Sequence, residues 1–211
     1  VDYVKCDDIA NMFRGKIYDA DEIAALSTAL KNSGRSIVLS LSPGPAPVAR
    51  AAHLEQFANL WRISNDFWDN WKSLNHNFDL FAEWQGYGLP GHWPDGDMIP
   101  FGHICQRNCD VHPDRWTHFT RDEQLTLLSL WALAPSPLML GANLPDNDEW
   151  TTAILSNPEV IAVNQDAAGV QGKRIKILPS GVEIWSKKLA DGSRAVSFYK
   201  RREAPVKMDC A

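Results

Sequence analysis

Ser36–Leu41 reads Ser-Ile-Val-Leu-Ser-Leu, an apolar run too short for a helix and broken by Pro43, Gly44, Pro45 and Pro47; it is read as a buried strand. On its N-terminal side, Asp21–Lys31 carries Ile23, Leu26 and Leu30 with alanines between them and Gly34 as a stop, the pattern of an amphipathic helix. Before that helix, Val1–Cys6 (VDYVKC) is β-branched and aromatic, a strand ending at Asp7 and Asp8. On the other side, His53–Leu60 reads as a helix, Trp61–Ser64 as a short strand, and Asp69–Trp84 as a long helix capped by Asp66 or Asp69. Strand and helix alternate, which predicts a parallel sheet with helical crossovers.

Farther along, Gly86–Gly102 is a Gly/Pro-rich loop with a short strand expected at Met98–Phe101. Arg121–Leu133 is predicted as a helix with Leu125, Leu128 and Trp131 on one side, and Leu138–Leu140 and Val160–Val163 as short buried strands. From Lys173 the period changes to alternation over three runs joined by Pro-Ser-Gly and Ala-Asp-Gly turns, an antiparallel meander. About five strand–helix units are too few for a (β/α)₈ barrel of roughly 250 residues. The expected fold class is therefore α/β, a chain that begins inside such a barrel and stops inside a following all-β domain.

Composition narrows the function classes. The 211 residues carry 21 Lys+Arg against 26 Asp+Glu, a formal charge of −5, which disfavours nucleic acid as a partner. The one basic cluster, Lys200, Arg201 and Arg202, reads as a solvated strand end. No apolar run approaches the roughly 20 residues of a membrane span. Nine Trp are present, six of them between Trp61 and Trp116, and composition alone does not separate core packing from a sugar-stacking cleft. Four Cys are too few for a disulfide framework and leave the compartment undecided. The chain opens Val-Asp-Tyr-Val-Lys without an initiator Met and reads as the middle of a gene product.

Four constellations could carry chemistry. In Lys5-Cys6-Asp7-Asp8, residues two apart share a strand face, so Lys5 can favour the carboxylate form of Asp7; turn capping is the plainer alternative. Trp61–Trp71 (WRISNDFWDNW) sets Arg62, Asp66 and Asp69 among three Trp at a strand-to-helix turn, where one Asp would in any case cap the helix. Trp93–Met98 (WPDGDM) suits a sugar pocket or a tight Asx turn equally well. His103, Cys105, Cys109 and His112, with His118 beyond, are rich in metal ligands, but their spacing points rather to an incidental loop or a local disulfide than to zinc. No nucleophile elbow, phosphate-binding loop or dinucleotide fingerprint is present.

Taken together these segments resemble glycoside hydrolase family 27, the α-galactosidases and α-N-acetylgalactosaminidases. Lys5-Cys6-Asp7 is similar to the family's Lys-Tyr/Phe-Asp strand end, WRISNDFWDNW to its W-R-x-x-x-D-I-x-D-x-W, and WPDGDM to its W-N-D-P-D-M. SLWALAPSPLML (129–140) and IAVNQDAAGVQG (161–172) resemble two further family segments, in the same order. The resemblance implies Asp7 as nucleophile, Asp66 as general acid/base, and Lys5, Arg62, Asp97, Met98 and Ser42 as substrate-binding residues, with no cofactor and no metal. It implies a retaining hydrolase of terminal α-galactosides acting on a galactose-containing oligosaccharide or glycoconjugate, and it leaves homo-oligomers open. An extracellular, periplasmic or lysosomal home is favoured on family habit alone.

The same resemblance places residue 1 at the fourth barrel strand, so that residues 1–170 are expected to form the C-terminal portion of a (β/α)₈ barrel and residues 171–211 the truncated start of an antiparallel β-sandwich. With the first half of the barrel outside this chain, the chain alone is not expected to be an efficient enzyme. Many relatives carry a disulfide where this sequence has Leu41-Ser42-Pro43-Gly44-Pro45 at one end and Ile9 at the other. Losing both ends together reads as coherent divergence, and it opens the sugar specificity: α-N-acetylgalactosaminide, β-L-arabinopyranoside, isomaltodextran, or a non-catalytic carbohydrate-binding relative.

Overall fold

A computed structural model of the chain describes residues 1–9, 18–42, 44–105 and 113–201. Its first half alternates as the sequence predicts: β1 (Tyr3–Asp7), α1 (Ala20–Asn32), β2 (Val38–Ser42), α2 (Ala51–Phe57), β3 (Leu60–Arg62), α3 (Trp71–Glu83) and β4 (Trp93–Asp95). The four strands form one sheet in the order β1-β2-β3-β4, every pair parallel. Asp7 lies opposite Ser42, Leu41 opposite Trp61, and Arg62 opposite Asp95. In β1 the residues alternate, with Tyr3, Lys5 and Asp7 exposed and Val4 and Cys6 half-buried, so one face of the strand is polar and open.

Several boundaries differ from expectation for identifiable reasons. Helix α3 is capped by Asn70, whose side chain accepts from the Ser73 N–H at 2.9 Å, and not by Asp66 or Asp69, which are engaged elsewhere. The strand expected at Met98–Phe101 falls instead at Trp93–Asp95. Pro94 is tolerated there because β4 is the last strand of the four and pairs only with β3 within that sheet. Met98–Phe101 and Leu138–Leu140 contribute a single parallel bridge, Ile99 to Leu140. Val160–Val163 is not a strand but the body of a helix, because Asn157 caps it through the Glu159 and Val160 N–H groups and Pro158 starts it.

The hairpin β5 (His103–Ile104) and β6 (Arg115–Trp116) precedes α4 (Arg121–Leu133), which opens with a capping box between Thr120 and Glu123. Leu128 and Trp131 of α4 face inward as predicted, together with Gln124 and Leu127, whereas Leu125 is exposed. Gln124 can occupy that face because its side chain is satisfied, donating to the Phe119 carbonyl and accepting from Trp150 Nε1. Helices α5 (Glu149–Leu155) and α6 (Pro158–Asn164) follow, then the antiparallel sheet β7 (Lys173–Ile177), β8 (Val182–Lys188) and β9 (Arg194–Lys200). The chain is thus α/β with a distinct antiparallel unit at its end. No helix among the described residues is long and apolar enough to cross a membrane.

One core runs through both parts. Leu39, Leu41, Trp61 and Ile63 from the sheet meet Phe78, Phe81 and Trp131 from the helices, and Trp185 and Tyr199 of the antiparallel sheet belong to the same cluster. The Phe78 ring packs edge-on against Tyr199 at 4.8 Å and Trp185 at 6.0 Å. Around this contact Arg201 pairs with Glu183 at 2.6 Å and Asp79 at 3.1 Å, and Arg174 pairs with Asp79 at 3.2 Å. Arg201 is therefore a half-buried tie between the two sheets' supports and not part of a solvated cluster; Arg202 lies outside the described residues.

Lys187 on β8 is fully buried and donates to the Val163 carbonyl at 2.5 Å and the Ala132 carbonyl at 3.3 Å, at the C-terminal ends of α6 and α4. Burial pushes its ammonium down to about 8, opposed by Asp166. An amine held below its unfolded value of 10.5 leaves the unfolded chain with more bound protons between about pH 8 and 10.5. Stability relative to a Lys187→Met variant is therefore expected to rise across that window. Urea unfolding of both proteins at a series of pH values checks this, and a difference that stays flat contradicts it.

Candidate active site

The C-terminal ends of the parallel strands bring most of the predicted residues to one edge, where open α/β sheets place their ligands. Asp7 ends β1 and Ser42 ends β2, directly opposite each other. Ser42 is 1% exposed and its hydroxyl donates to the Asp7 carboxylate, while the Asp8 N–H donates to the Ser42 carbonyl at 2.7 Å. Hydrogen bonds therefore join the two strand ends at the place where the resemblance puts a disulfide, and Ile9 packs against the core instead. Ser42 touches Asp7 and is closed to solvent, so it orients that carboxylate. Lys5 lies on the same open strand face as Asp7.

Arg62 ends β3 with its side chain 4% exposed. Its Nη2 meets Asp97 at 2.8 Å and Asp66 at 3.4 Å. Asp66, four residues on, is 76% exposed, so a buried cation fixes an accessible carboxylate. Asp97 is held tightly: its carboxylate accepts from the Phe67 N–H at 2.7 Å, its carbonyl accepts from Trp131 Nε1 at 3.0 Å, and its φ is +83°. The preceding Gly96 has no room for a side chain, because a Cβ would come within 2.6 Å of Phe81 and 2.8 Å of Trp131. Met98 is half-buried against Gly141, where a Cβ would sit 2.5 Å from the Met98 sulfur.

Three residues at this edge were given no place in the site from the sequence: Asp95 and Asp69 stand within motifs named above, and Arg115 in none. Asp95 is buried on β4 opposite Arg62 and accepts from the Asp97 N–H at 2.8 Å. Burial pushes its carboxyl up to about 6, against the pull of that N–H, Arg62 and Lys5. Asp95 stands two residues before Asp97 in WPDGDM, but only the register of β4 reveals that it turns inward. Asp69 and Arg115 form the second omission: Arg115 grips Asp69 bidentately at 2.5 and 2.7 Å, and the His118 N–H adds a bond of 2.5 Å. Burial alone would raise the Asp69 carboxyl, but Arg115 and His118 hold it below its ordinary value.

His103 presents Nδ1 to Asp146 at 2.8 Å and Nε2 to Asp114 at 2.5 Å, a double engagement that only the imidazolium satisfies as donor on both sides. Its bond to Asp146 leads the causes that raise its pKa. Cys109 and His112, and with them the expected local disulfide, lie outside the described residues. Among the described residues no group of His, Cys, Asp and Glu is arranged to hold a metal ion.

Residues 1–166 match the family described as Alpha galactosidase A. The chain belongs to that family, glycoside hydrolase family 27. It is 36% identical over 205 residues to "Alpha-galactosidase 2" of Arabidopsis thaliana, covering 97% of this chain and 47% of that protein. Mouse "Alpha-N-acetylgalactosaminidase" is 29% identical over 221 residues, covering 100% of this chain and 49% of the relative. Among solved structures, a β-L-arabinopyranosidase of the same family from Geobacillus stearothermophilus superposes with a TM-score of 0.86 at 42% identity, over 94% of this chain and 45% of that one. The chain spans about half the length of the relatives it matches.

Proposed function

We propose that residues 1–170 are the C-terminal portion of a (β/α)₈ barrel, that residues 171–211 begin a β-sandwich domain, and that the protein containing them is a retaining hydrolase of terminal α-galactosides. One observation carries the reading: Asp7 and Asp66, exposed carboxylates on the same sheet edge, are each oriented by a buried partner, Ser42 and Arg62. A retaining glycosidase needs two such groups about 5–5.5 Å apart, one to attack and one to move a proton.

Asp7 attacks the anomeric carbon while Asp66 gives its proton to the departing glycosidic oxygen. Water then loses a proton to Asp66 and attacks the same carbon, releasing Asp7 with the configuration retained. Lys5, on the same open strand face as Asp7, contacts the substrate. Arg62 holds Asp66 in place and Asp97 holds Arg62, while Asp95 holds the Asp97 backbone; Asp97 and Met98 line the sugar's side of the pocket. The chemistry needs two carboxyl groups and water and no cofactor, and the partner is a galactose-containing oligosaccharide or glycoconjugate.

A second reading, cleavage of β-L-arabinopyranosides, is favoured by the 42% identity to the Geobacillus arabinopyranosidase. Nitrophenyl glycosides assayed with the full-length protein separate the two. The α-galactoside is expected to give the higher kcat/KM, and a higher value on the β-L-arabinopyranoside reverses the assignment. Proton NMR of the first product is expected to show the substrate's own anomeric configuration, and the opposite anomer removes the double displacement.

A further inference from the structure

Of the nine Trp, Trp61, Trp84, Trp131 and Trp185 are no more than 1% exposed, whereas Trp116 is 49% exposed. A singly exposed apolar side chain is ordinary on a protein surface, and Trp116 stands out by how it is held. Trp116 is not loosely hung. It pairs in register with His103 across β5 and β6, and the Thr117 N–H ties to the Gly102 carbonyl at 2.9 Å. One face of the indole stacks on the His103 ring, with centroids 5.5 Å apart and planes 12° from parallel. His103 is itself clasped between Asp114 and Asp146, and the neighbouring Arg115 is locked to Asp69.

These ties fix the plane of the indole before any ligand arrives, while about half of the residue stays exposed. Fixing a binding group in advance removes an ordering cost that a mobile side chain would bear on binding. The hairpin belongs to the connection that leaves β4, on the edge where Asp7, Asp66 and Asp97 stand, and Asp69 follows Asp66 by three residues. The face of a pyranose is a flat array of C–H groups, complementary to the electron-rich face of an indole.

We propose that the outer face of Trp116 is a stacking platform for a second sugar ring of the substrate, beyond the bond that is cleaved. The proposal rests on the glycosidase reading for its substrate, and its decisive readout is independent of turnover. Acrylamide quenching of tryptophan emission is measured on the full-length protein with a galactose-terminated trisaccharide and with methyl α-galactoside. The trisaccharide is expected to shield the accessible emission of the wild-type protein, methyl α-galactoside to leave it open, and Trp116→Ala to abolish the sugar-dependent change.

In kinetics, Trp116→Ala is expected to raise KM for the trisaccharide about tenfold, with Trp116→Phe recovering most of the loss and the methyl glycoside unaffected. Absence of shielding with normal turnover overturns the platform and leaves the hydrolase reading standing. Shielding without turnover of any glycoside keeps the platform and overturns the hydrolase. Equal losses on both substrates in Trp116→Ala, without shielding in the wild type, reduce Trp116 to a structural role.

Discussion

Asp7→Asn in the full-length protein is expected to lower kcat on every cleavable glycoside by on the order of 10⁴, the scale seen when a covalent nucleophile is removed. The melting temperature should change little. The amide is nearly isosteric with the carboxylate and still offers an oxygen to the Ser42 hydroxyl, and the exposed position of Asp7 means that no buried charge loses its partner. What the amide lacks is the negative charge that attacks the anomeric carbon and leaves again as a carboxylate. Loss of activity together with unfolding would say nothing of chemistry, so thermal unfolding accompanies the rate measurement. Asp7→Ala supplies the sharper check: added azide should restore turnover and give the glycosyl azide of inverted configuration, because the small anion enters the space the side chain has left. Appreciable kcat in Asp7→Asn, or failure of azide to rescue a folded Asp7→Ala, removes Asp7 from the role.

Much of the framework that holds Asp7 was legible because it depends on short-range signals. The spacing of Ile23, Leu26 and Leu30 marks α1, the prolines beyond Leu41 end the β2 run, and the alternation from Lys173 onward gives β7 to β9. Where the reading failed, a local signal was ambiguous or a distant partner decided. Val160–Val163 is four apolar residues, and periodicity alone cannot tell a buried strand from a turn of helix; Asn157 and Pro158 broke the tie. Asp69 looks like a helix cap in sequence, but Arg115, 46 residues away, claims its carboxylate and leaves Asn70 to cap α3. Asp95 and Trp116 illustrate the same limit in opposite directions. A carboxylate turned into the protein and an indole turned out of it are set by the registers of β4 and β6, which no window of sequence contains.

The candidate site is built as two charged layers, and the layering explains what sequence spacing could and could not convey. Asp7 and Asp66 are accessible, and behind them Ser42, Arg62, Asp95 and Asp97 are buried or nearly so. Spacing reveals the residue types, but only burial separates groups that can meet a substrate from groups that orient them. A buried guanidinium shared by Asp66 and Asp97 is costly to leave unpaired, so the cluster holds its geometry without help from a ligand.

Asp66→Ala is the second large expected effect, and its signature is a dependence on the leaving group. The departing oxygen of an alkyl or sugar aglycone must be protonated as the bond breaks, so losing the acid should cost about 10²–10⁴ in kcat/KM for an oligosaccharide. A dinitrophenolate leaves without a proton, so the same variant should retain glycosylation of Asp7 nearly unimpaired on that substrate. Deglycosylation still needs a base to take the proton from water, so kcat on the activated substrate should fall while KM falls with it, the mark of an accumulating glycosyl-enzyme. Azide should then raise kcat again, because it needs no base. Arg62 sharpens the interpretation: the variant frees one of two carboxylates from the guanidinium, and Asp97 at 2.8 Å remains to hold it, so the fold should survive. Equal losses on good and poor leaving groups would mean that Asp66 acts on geometry alone, and the acid/base role would have to pass to another carboxyl group on this edge.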